Sequence, residues 1–188
     1  MSQVKLITYN QIAEYKLITS NINVSKFDNL LIEAQELDLR PVLGNELYLE
    51  LIAENGNSPY LEKYANLLEG CTYTYNGKNY KHEGLIPVLA YFIYARFLAY
   101  AGSVATPYGV VQKTNDFSQP TSDKSISRQI TQAKSAAMAY FDRVKLFLIH
   151  NKTIYTAYLF NPSTRNSGLR INPVGGNDRS DNKYNYRY

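Results

Sequence analysis

The residues of this 188-residue chain that could serve as nucleophile and base are few. The chain has one cysteine, Cys71, and two histidines, His82 and His150. Cys71 and His82 flank a stretch that predicts a hairpin, so their side chains could approach each other across its strands. A cysteine–histidine nucleophile also needs a third group that orients the base and donors that stabilise an oxyanion, and the sequence points to neither. We therefore expect a small apolar cysteine, a surface histidine and no enzyme activity.

Metal and cofactor sites are also predicted to be absent. Glu33 and Glu36 lie one helical turn apart, but neither is followed three residues later by the histidine that builds di-iron sites in helical bundles. We interpret this pair as part of a solvated acidic face. The chain has no P-loop, no glycine-rich dinucleotide motif and no paired cysteines for zinc.

The spacing of apolar residues predicts an all-α bundle of about five to six helices with one small β-hairpin and a long extended C-terminal tail. Residues 1–160 form the predicted helical domain, and residues 161–188 form the tail. Arg40 precedes Pro41, which disfavours helical angles at Arg40 and predicts a helix break there. The predicted helices cover residues 9–18, 25–39, 41–54, 58–69, 84–101 and 125–151. Inward positions of the second helix are Phe27, Leu30, Leu31, Ala34 and Leu37.

The predicted hairpin spans residues 71–82, where threonines and tyrosines flank Asn76-Gly77. Asn-Gly accepts the positive φ angles of a type I′ turn. Because a lone hairpin is marginally stable in water, it must lie on the helical body or against a neighbouring molecule. Residues 102–124 are rich in Ser, Thr, Pro, Asn and Asp and predict a loop.

The stretch 84–101 is apolar on every face, and it predicts a buried central helix. A membrane span is disfavoured because the stretch is shorter than about 20 residues and contains Arg96 and three tyrosines. The last helix carries an apolar stripe that predicts a helix-packing seam. Its residues are Ile126, Ile130, Ala133, Ala137, Tyr140, Val144 and Phe147.

Charge is unevenly distributed along the chain. Residues 1–70 carry a net charge of −5, residues 71–150 carry +5 and residues 151–188 carry +4. Such a chain could attract copies of itself head to tail, or dock its basic tail on another acidic surface. Alternatively, the uneven distribution of surface charge has no function.

The tail, residues 161–188, interleaves arginines with tyrosines and has few aliphatic residues. It cannot bury enough apolar surface to offset its own ordering entropy. Arginine and tyrosine are enriched in protein interfaces, and they also grip phosphates and stack on bases. A docking arm and a nucleic-acid-binding segment therefore both remain open. The candidate docking residues are Arg165, Leu169, Arg170, Ile171, Pro173, Arg179, Tyr184, Tyr186 and Tyr188.

Several blocks together resemble a known family. They are Glu33–Tyr48 (EAQELDLRPVLGNELY), Thr72–Tyr80 (TYTYNGKNY), Gly84–Leu98 (GLIPVLAYFIYARFL), Thr106–Lys113 (TPYGVVQK) and Asn161–Ile171 (NPSTRNSGLRI). In this order they resemble the head–tail connector, or ring, proteins of tailed bacteriophages that infect Bacteroidetes, crAss-like phages included.

The resemblance implies a structural virion protein without catalytic activity or cofactor. Its expected partners are further copies in a ring of twelve, the portal protein, the next neck or tail ring protein, and genomic DNA that passes through the lumen without sequence-specific binding. The expected location is the virion neck, after assembly in the host bacterial cytoplasm and without a membrane. The resemblance also makes Tyr108, Val110 and Lys113 the inter-subunit loop and the tail an arm that packs along the portal.

Two alternatives remain open at this point. One is a nucleic-acid-binding module that uses the basic tail, which predicts DNA binding that weakens steeply as salt rises. The other is a stopper or tail-terminator ring, which would share the ring symmetry but occupy another layer of the neck.

Overall fold

The computed structural model describes residues 4–16, 24–54, 61–101, 103–106, 109–112 and 122–158. The helices are α1 (Tyr9–Tyr15), α2 (Val24–Glu33), a π-helix (Ala34–Leu39), α3 (Arg40–Leu43), α4 (Asn45–Glu54), α5 (Glu62–Glu69), α6 (Leu85–Ala101) and α7 (Asp123–His150). The strands are β1 (Cys71–Tyr75), β2 (Lys78–His82), β3 (Ser103–Thr106) and β4 (Gly109–Gln112). The predicted helical bundle with a small hairpin is confirmed, and the tail at residues 161–188 lies outside the described ranges.

Helix α6 is apolar on every face and forms the centre of the fold, as predicted. Its side chains Leu85, Leu89 and Ile93 are fully buried. Helices α1, α2 and α5 and the π-helix pack against it, and α7 is its principal neighbour. A helix without a polar face must be covered on all sides, so α6 sets the positions of the other helices. In the described ranges, no helix has both the length and the apolar character needed to cross a membrane.

The predicted helix break before Pro41 is wrong, because the chain passes through this proline after a π-helical turn. Arg40 keeps helical backbone angles (φ −53°, ψ −44°), and its N–H donates to the carbonyl of Gln35, five residues back. In an α-helix the Pro41 ring would clash with the carbonyl four residues back. In the π-helix the hydrogen bonds reach five residues back, and this wider turn moves that carbonyl away from the proline ring. The helix ends instead at Gly44, where φ is 89°.

The π-helix also changes which side chains face the core. The prediction that Leu37 points inward is wrong: Leu37 is 62% exposed, whereas Leu39 is fully buried. The wider turn shifts the following residues relative to α-helical spacing. It also turns Gln35 inward, where Nε2 donates to the Val4 carbonyl (3.0 Å) and Oε1 accepts from the Leu6 N–H (2.7 Å). The π-helix thereby fastens the N-terminal segment to the core.

Most helix ends follow the predicted signals. Thr8 and Gln11 form the capping box of α1, which ends at Tyr15, three residues before the predicted end. Gly70 follows α5 with a φ of 88°. The side chain of Ser122 caps α7, which begins two residues before the predicted start. The predicted start of α5 at residues 58–59 lies outside the described ranges.

The predicted seam of α7 is confirmed. Ala133, Ala137, Val144 and Phe147 are buried, and the other members of the stripe are half-buried. Phe141 extends the seam and is also buried.

The predicted first hairpin is confirmed in position and turn type. β1 pairs antiparallel with β2, with Tyr73 opposite Tyr80. Asn76 and Gly77 have φ values of 50° and 72°, as a type I′ turn requires. At the base of the hairpin, the residues before β1 and after β2 approach so closely that a Cβ on Gly84 would overlap main-chain atoms.

The prediction that residues 102–124 form only a loop is wrong. Here β3 pairs antiparallel with β4, with Val104 opposite Val111 and Ala105 opposite Val110. Valines on both sides of a two-residue connection favour strands, and they outweigh the Ser, Thr and Pro residues around them.

The π-helix predicts that alanine substitution at Leu37 and at Leu39, two residues apart, affects the free energy of unfolding very differently. Leu39→Ala should lower the free energy of unfolding by about 2–5 kcal/mol, because it opens a cavity in the core. Leu37→Ala should change it by less than about 0.5 kcal/mol, because the side chain is exposed. Urea unfolding of the two variants beside the parent measures both values. A larger loss for Leu37→Ala than for Leu39→Ala would mean that the segment is an ordinary α-helix.

Candidate assembly interface

The structure describes one of the predicted site residues. Val110 lies in β4, opposite Ala105 of β3. Tyr108 and Lys113 of the predicted inter-subunit loop lie outside the described ranges, as do all nine candidate docking residues of the tail.

The β3–β4 hairpin is the element that sequence reasoning missed. Its two strands pair mainly with each other, and their principal contact with the helical body is with the end of α6 that leads into β3. Four of its eight residues are apolar in type: Val104, Ala105, Val110 and Val111. The signal that could have revealed it was the run of β-branched residues on either side of positions 107–108. A two-stranded hairpin of this kind is marginally stable without a surface to cover it.

The β1–β2 hairpin, in contrast, lies firmly on α7. Tyr75 stacks on His150 with ring centroids 3.8 Å apart, and Tyr73 packs edge-on against Phe147 at 5.0 Å. The hydroxyl of Tyr73 also lies 3.1 Å from Nδ1 of His150. The alternation of aromatic residues along β1 turns these rings to one face, which fixes the hairpin to the end of α7. The first hairpin therefore has its partner within the chain.

Cys71 and His82 do approach each other across the strands, as predicted, with Sγ 3.4 Å from Nε2. The predicted surface position of His82 is wrong, because its side chain is 1% exposed and stacks on Phe147. The cause is its place on the inner face of β2, opposite Cys71.

The Cys71–His82 pair is arranged as a neutral, structural contact. The N–H of Gly84 donates to Nδ1 of His82 (3.2 Å), so in the neutral imidazole Nε2 carries the proton and points it at the sulfur. Burial lowers the pKa of His82 to about 4, partly offset by Glu83, and burial raises the pKa of the Cys71 thiol. In this arrangement His82 donates to the thiol and does not deprotonate it.

Glu33 is not merely solvated, as the sequence predicted, because an arginine binds it. Arg96, the one charged residue of α6, donates to Asp38 through Nε (2.6 Å) and to Glu33 through a terminal nitrogen (3.0 Å). These bonds satisfy the only charge on the central helix and tie α6 to α2 and the π-helix.

Glu36 has partners as well. It accepts hydrogen bonds from Arg40 (2.7 Å) and from the hydroxyl of Tyr48 (2.8 Å). Burial raises the pKa of Glu36, but these two hydrogen bonds outweigh it and leave the pKa below its usual value. Across the described ranges, no group of three or more His, Cys, Asp or Glu side chains is arranged to hold a metal ion.

The buried state of His82 predicts a pH dependence of stability. Its folded pKa of about 4 lies below the value of about 6.5 expected in the unfolded chain. The unfolded chain therefore takes up the proton first, so the contribution of neutral His82 is complete above about pH 6.5 and is lost as the pH falls toward 4.

An NMR titration of the imidazole signals measures the pKa of His82 directly. The chain has two histidines, so the signal that remains in His150→Asn belongs to His82. We expect its midpoint near pH 4. A midpoint near 6.5 in the folded protein would contradict the buried position.

Comparisons with known proteins identify a family but no named relative. A family model described as a family of unknown function (DUF6712) matches residues 39–168. The matched residues include α3 to α7 and both hairpins. No curated protein and no solved structure matches the chain.

Proposed function

The chain belongs to the DUF6712 family, whose function is unknown, and we propose that it is a structural virion protein. In this proposal it is a subunit of the head-to-tail connector ring, which docks on the portal and extends the DNA channel toward the tail. The resemblance of its sequence blocks to connector proteins supports the proposal, and so does one observation of the structure, the β3–β4 hairpin.

The β3–β4 hairpin carries the proposal because its strands pair with each other, and their principal contact with the described helices is with the end of α6 that leads into β3. It connects α6 to α7, the two helices with the most extensive mutual packing in the fold. Its strands place Val104 opposite Val111 and Ala105 opposite Val110. In the proposed ring a neighbouring copy packs on this hairpin, and the ring repeats that contact at every subunit, so that many modest contacts add to a stable assembly. The hairpin overlaps the segment 106–113, which resembles the inter-subunit element of the connectors.

The charged side chains described above support a structural role rather than a reaction. Arg96 and Arg40 each bind carboxylates that join one helix to the next. Arg143 of α7 binds Glu83, which follows the first hairpin (2.8 Å). These groups hold elements of the fold together.

The tail, residues 161–188, supplies the proposed contact with the portal. Fully extended at roughly 3.3–3.6 Å per residue, it would reach about 90–100 Å, enough to cross a neighbouring subunit. Its arginines and tyrosines are the residue types that most often anchor protein interfaces. Genomic DNA would pass through the lumen of the ring without sequence-specific binding.

The first test concerns the hairpin. Replacing Val104, Val110 and Val111 by serine removes the three valines of the hairpin and changes no residue of the helical body. We expect the parent to form rings in negative stain and in native mass measurements, and the triple variant to remain a folded, smaller species. The matched control, Thr72→Ser with Thr74→Ser on the outer face of the first hairpin, should still form rings. A parent without rings would contradict the connector proposal, and a triple variant with normal rings would contradict the role of the hairpin.

The second test concerns the tail and separates a portal-docking arm from a DNA-binding arm. Interface energy is concentrated in a few anchors. Ile171→Ala with Tyr186→Ala should therefore reduce capture by the co-expressed portal protein strongly. Replacing Arg179, Lys183 and Arg187 by glutamine should reduce it modestly, and mainly at low salt.

A DNA titration of the same two tail variants completes this test. A phosphate-gripping tail predicts the reverse order, because each neutralised phosphate contributes its own share of affinity and of salt dependence. Loss of tight DNA binding in the glutamine variant, with normal portal capture by the alanine variant, would favour the nucleic-acid-binding module. Capture by a different neck protein would favour a stopper or terminator ring.

A further inference from the structure

The outer face of α7 combines exposed apolar side chains with exposed basic ones. Met138, Leu146 and Ile149 are exposed, although they belong to a helix whose opposite side forms the core seam. Leu146 and Ile149 lie 8 and 11 residues after Met138, which at 3.6 residues per turn places all three on one side of the helix. The exposed charged residues along this side are Lys124, Arg128, Lys134 and Asp142. This surface, the α7 face, therefore carries its basic residues in the N-terminal half of the helix and its exposed apolar residues from Met138 onward, and its charges are mainly basic.

The outer face of α4 has the complementary composition. Glu46, Leu49, Glu50 and Ala53 are exposed and follow the spacing of one helical face. Leu49 is 49% exposed, while Leu47 and Leu51 on the opposite side are fully buried.

The start of α5 extends the same surface. The N–H of Leu61 donates to Oε1 of Glu54 (3.2 Å), which holds Leu61 at the C-terminal end of α4. Leu61 is 56% exposed and is followed by the exposed Glu62. Lys63 is the one basic residue here, and its Nζ lies 4.0 Å from Glu50. This surface, the α4 face, comprises Glu46, Leu49, Glu50, Ala53, Leu61 and Glu62.

We propose that the α4 face of one copy docks on the α7 face of the next. This inference rests on the proposed ring function and names the two sides of the contact between subunits. Each face combines exposed apolar side chains with charges of one predominant sign, and the signs are opposite. Apolar contact together with complementary charge is typical of a specific protein interface.

The difference between the two faces also determines the symmetry of the assembly. The two faces belong to helices with different neighbours, since α4 packs on α3 whereas α7 packs on α6. Pairing two α4 faces, or two α7 faces, would bring like charges together, which costs binding free energy. A contact between unlike faces is head to tail, and a head-to-tail contact repeats to form a ring when its rotation closes, or an open filament when it does not.

Charge reversal with complementation tests the pairing. One variant, Arg128→Glu with Lys134→Glu, reverses the α7 face. The other, Glu46→Lys with Glu62→Lys, reverses the α4 face and leaves Glu50 bound to Tyr64 (3.0 Å). We expect each variant alone to associate with itself at least about tenfold more weakly than the parent, since each now opposes like charges. An equimolar mixture should regain rings, because every contact between the two variants again joins opposite charges.

The matched control reverses two exposed lysines elsewhere, Lys78→Glu with Lys81→Glu on the first hairpin, and should assemble like the parent. Sedimentation velocity gives the assembly state, and circular dichroism verifies the fold of each variant. If the parent forms rings and either reversed variant also does so normally, or the mixture fails to regain them, the pairing of these faces is wrong while the connector ring stands. A parent that stays monomeric at high concentration and low salt overturns both.

Cross-linking provides a measurement that does not depend on charge. In a Cys71→Ser background, Leu49→Cys and Met138→Cys each place one thiol on one face. A short bismaleimide should yield dimers when the two chains are mixed and little product from either chain alone. Equal cross-linking of either chain with itself would overturn the head-to-tail pairing.

Discussion

Covering α6 is the constraint on which the rest of this structure depends. The helix has no polar side, so every residue that it fails to bury exposes apolar surface to water. α1, α2, the π-helix, α5 and α7 meet this requirement with their own apolar sides. The single charge of α6, on Arg96, is satisfied by Glu33 and Asp38 from the helices that cover it. The inward sides of the bundle are thereby fully occupied.

The apolar residues that remain exposed are then the candidates for contacts with other molecules. Exposed apolar residues lie on the outer sides of α4 and α7 and at Leu61, just before α5, and the β3–β4 hairpin has its principal contact with the helical body at the end of α6. The first hairpin already packs within the chain, because the rings of Tyr73 and Tyr75 hold it on α7. The outward surface of the described fold is therefore the part available for contacts with other copies, and the ring we propose would use it at every subunit.

Sequence reasoning recovered the features that depend on local chemistry. The apolar run predicted α6, Asn76-Gly77 predicted the type I′ turn, and the stripe of α7 predicted its seam. It missed features that depend on the surroundings: the π-helical turn changes the phase of the helix within one sequence pattern, so Leu37, predicted to point inward, is exposed. His82 was placed at the surface because no local signal reports that the inner face of β2 lies on Phe147. For the proposed interface, the charge asymmetry along the chain indicates two unlike regions, but only the fold shows which side chains of α4 and α7 are exposed.

The central claim is that a neighbouring copy covers the β3–β4 hairpin when the chain assembles. Amide hydrogen exchange, measured below and above the concentration at which rings form, tests it directly, because the backbone hydrogen bonds of an uncovered two-stranded hairpin open readily. The account predicts that the amides of β3 and β4 exchange at least about tenfold more slowly in the assembled state, while those of β1 and β2 change little. Equal exchange of β3 and β4 in the two states would contradict it.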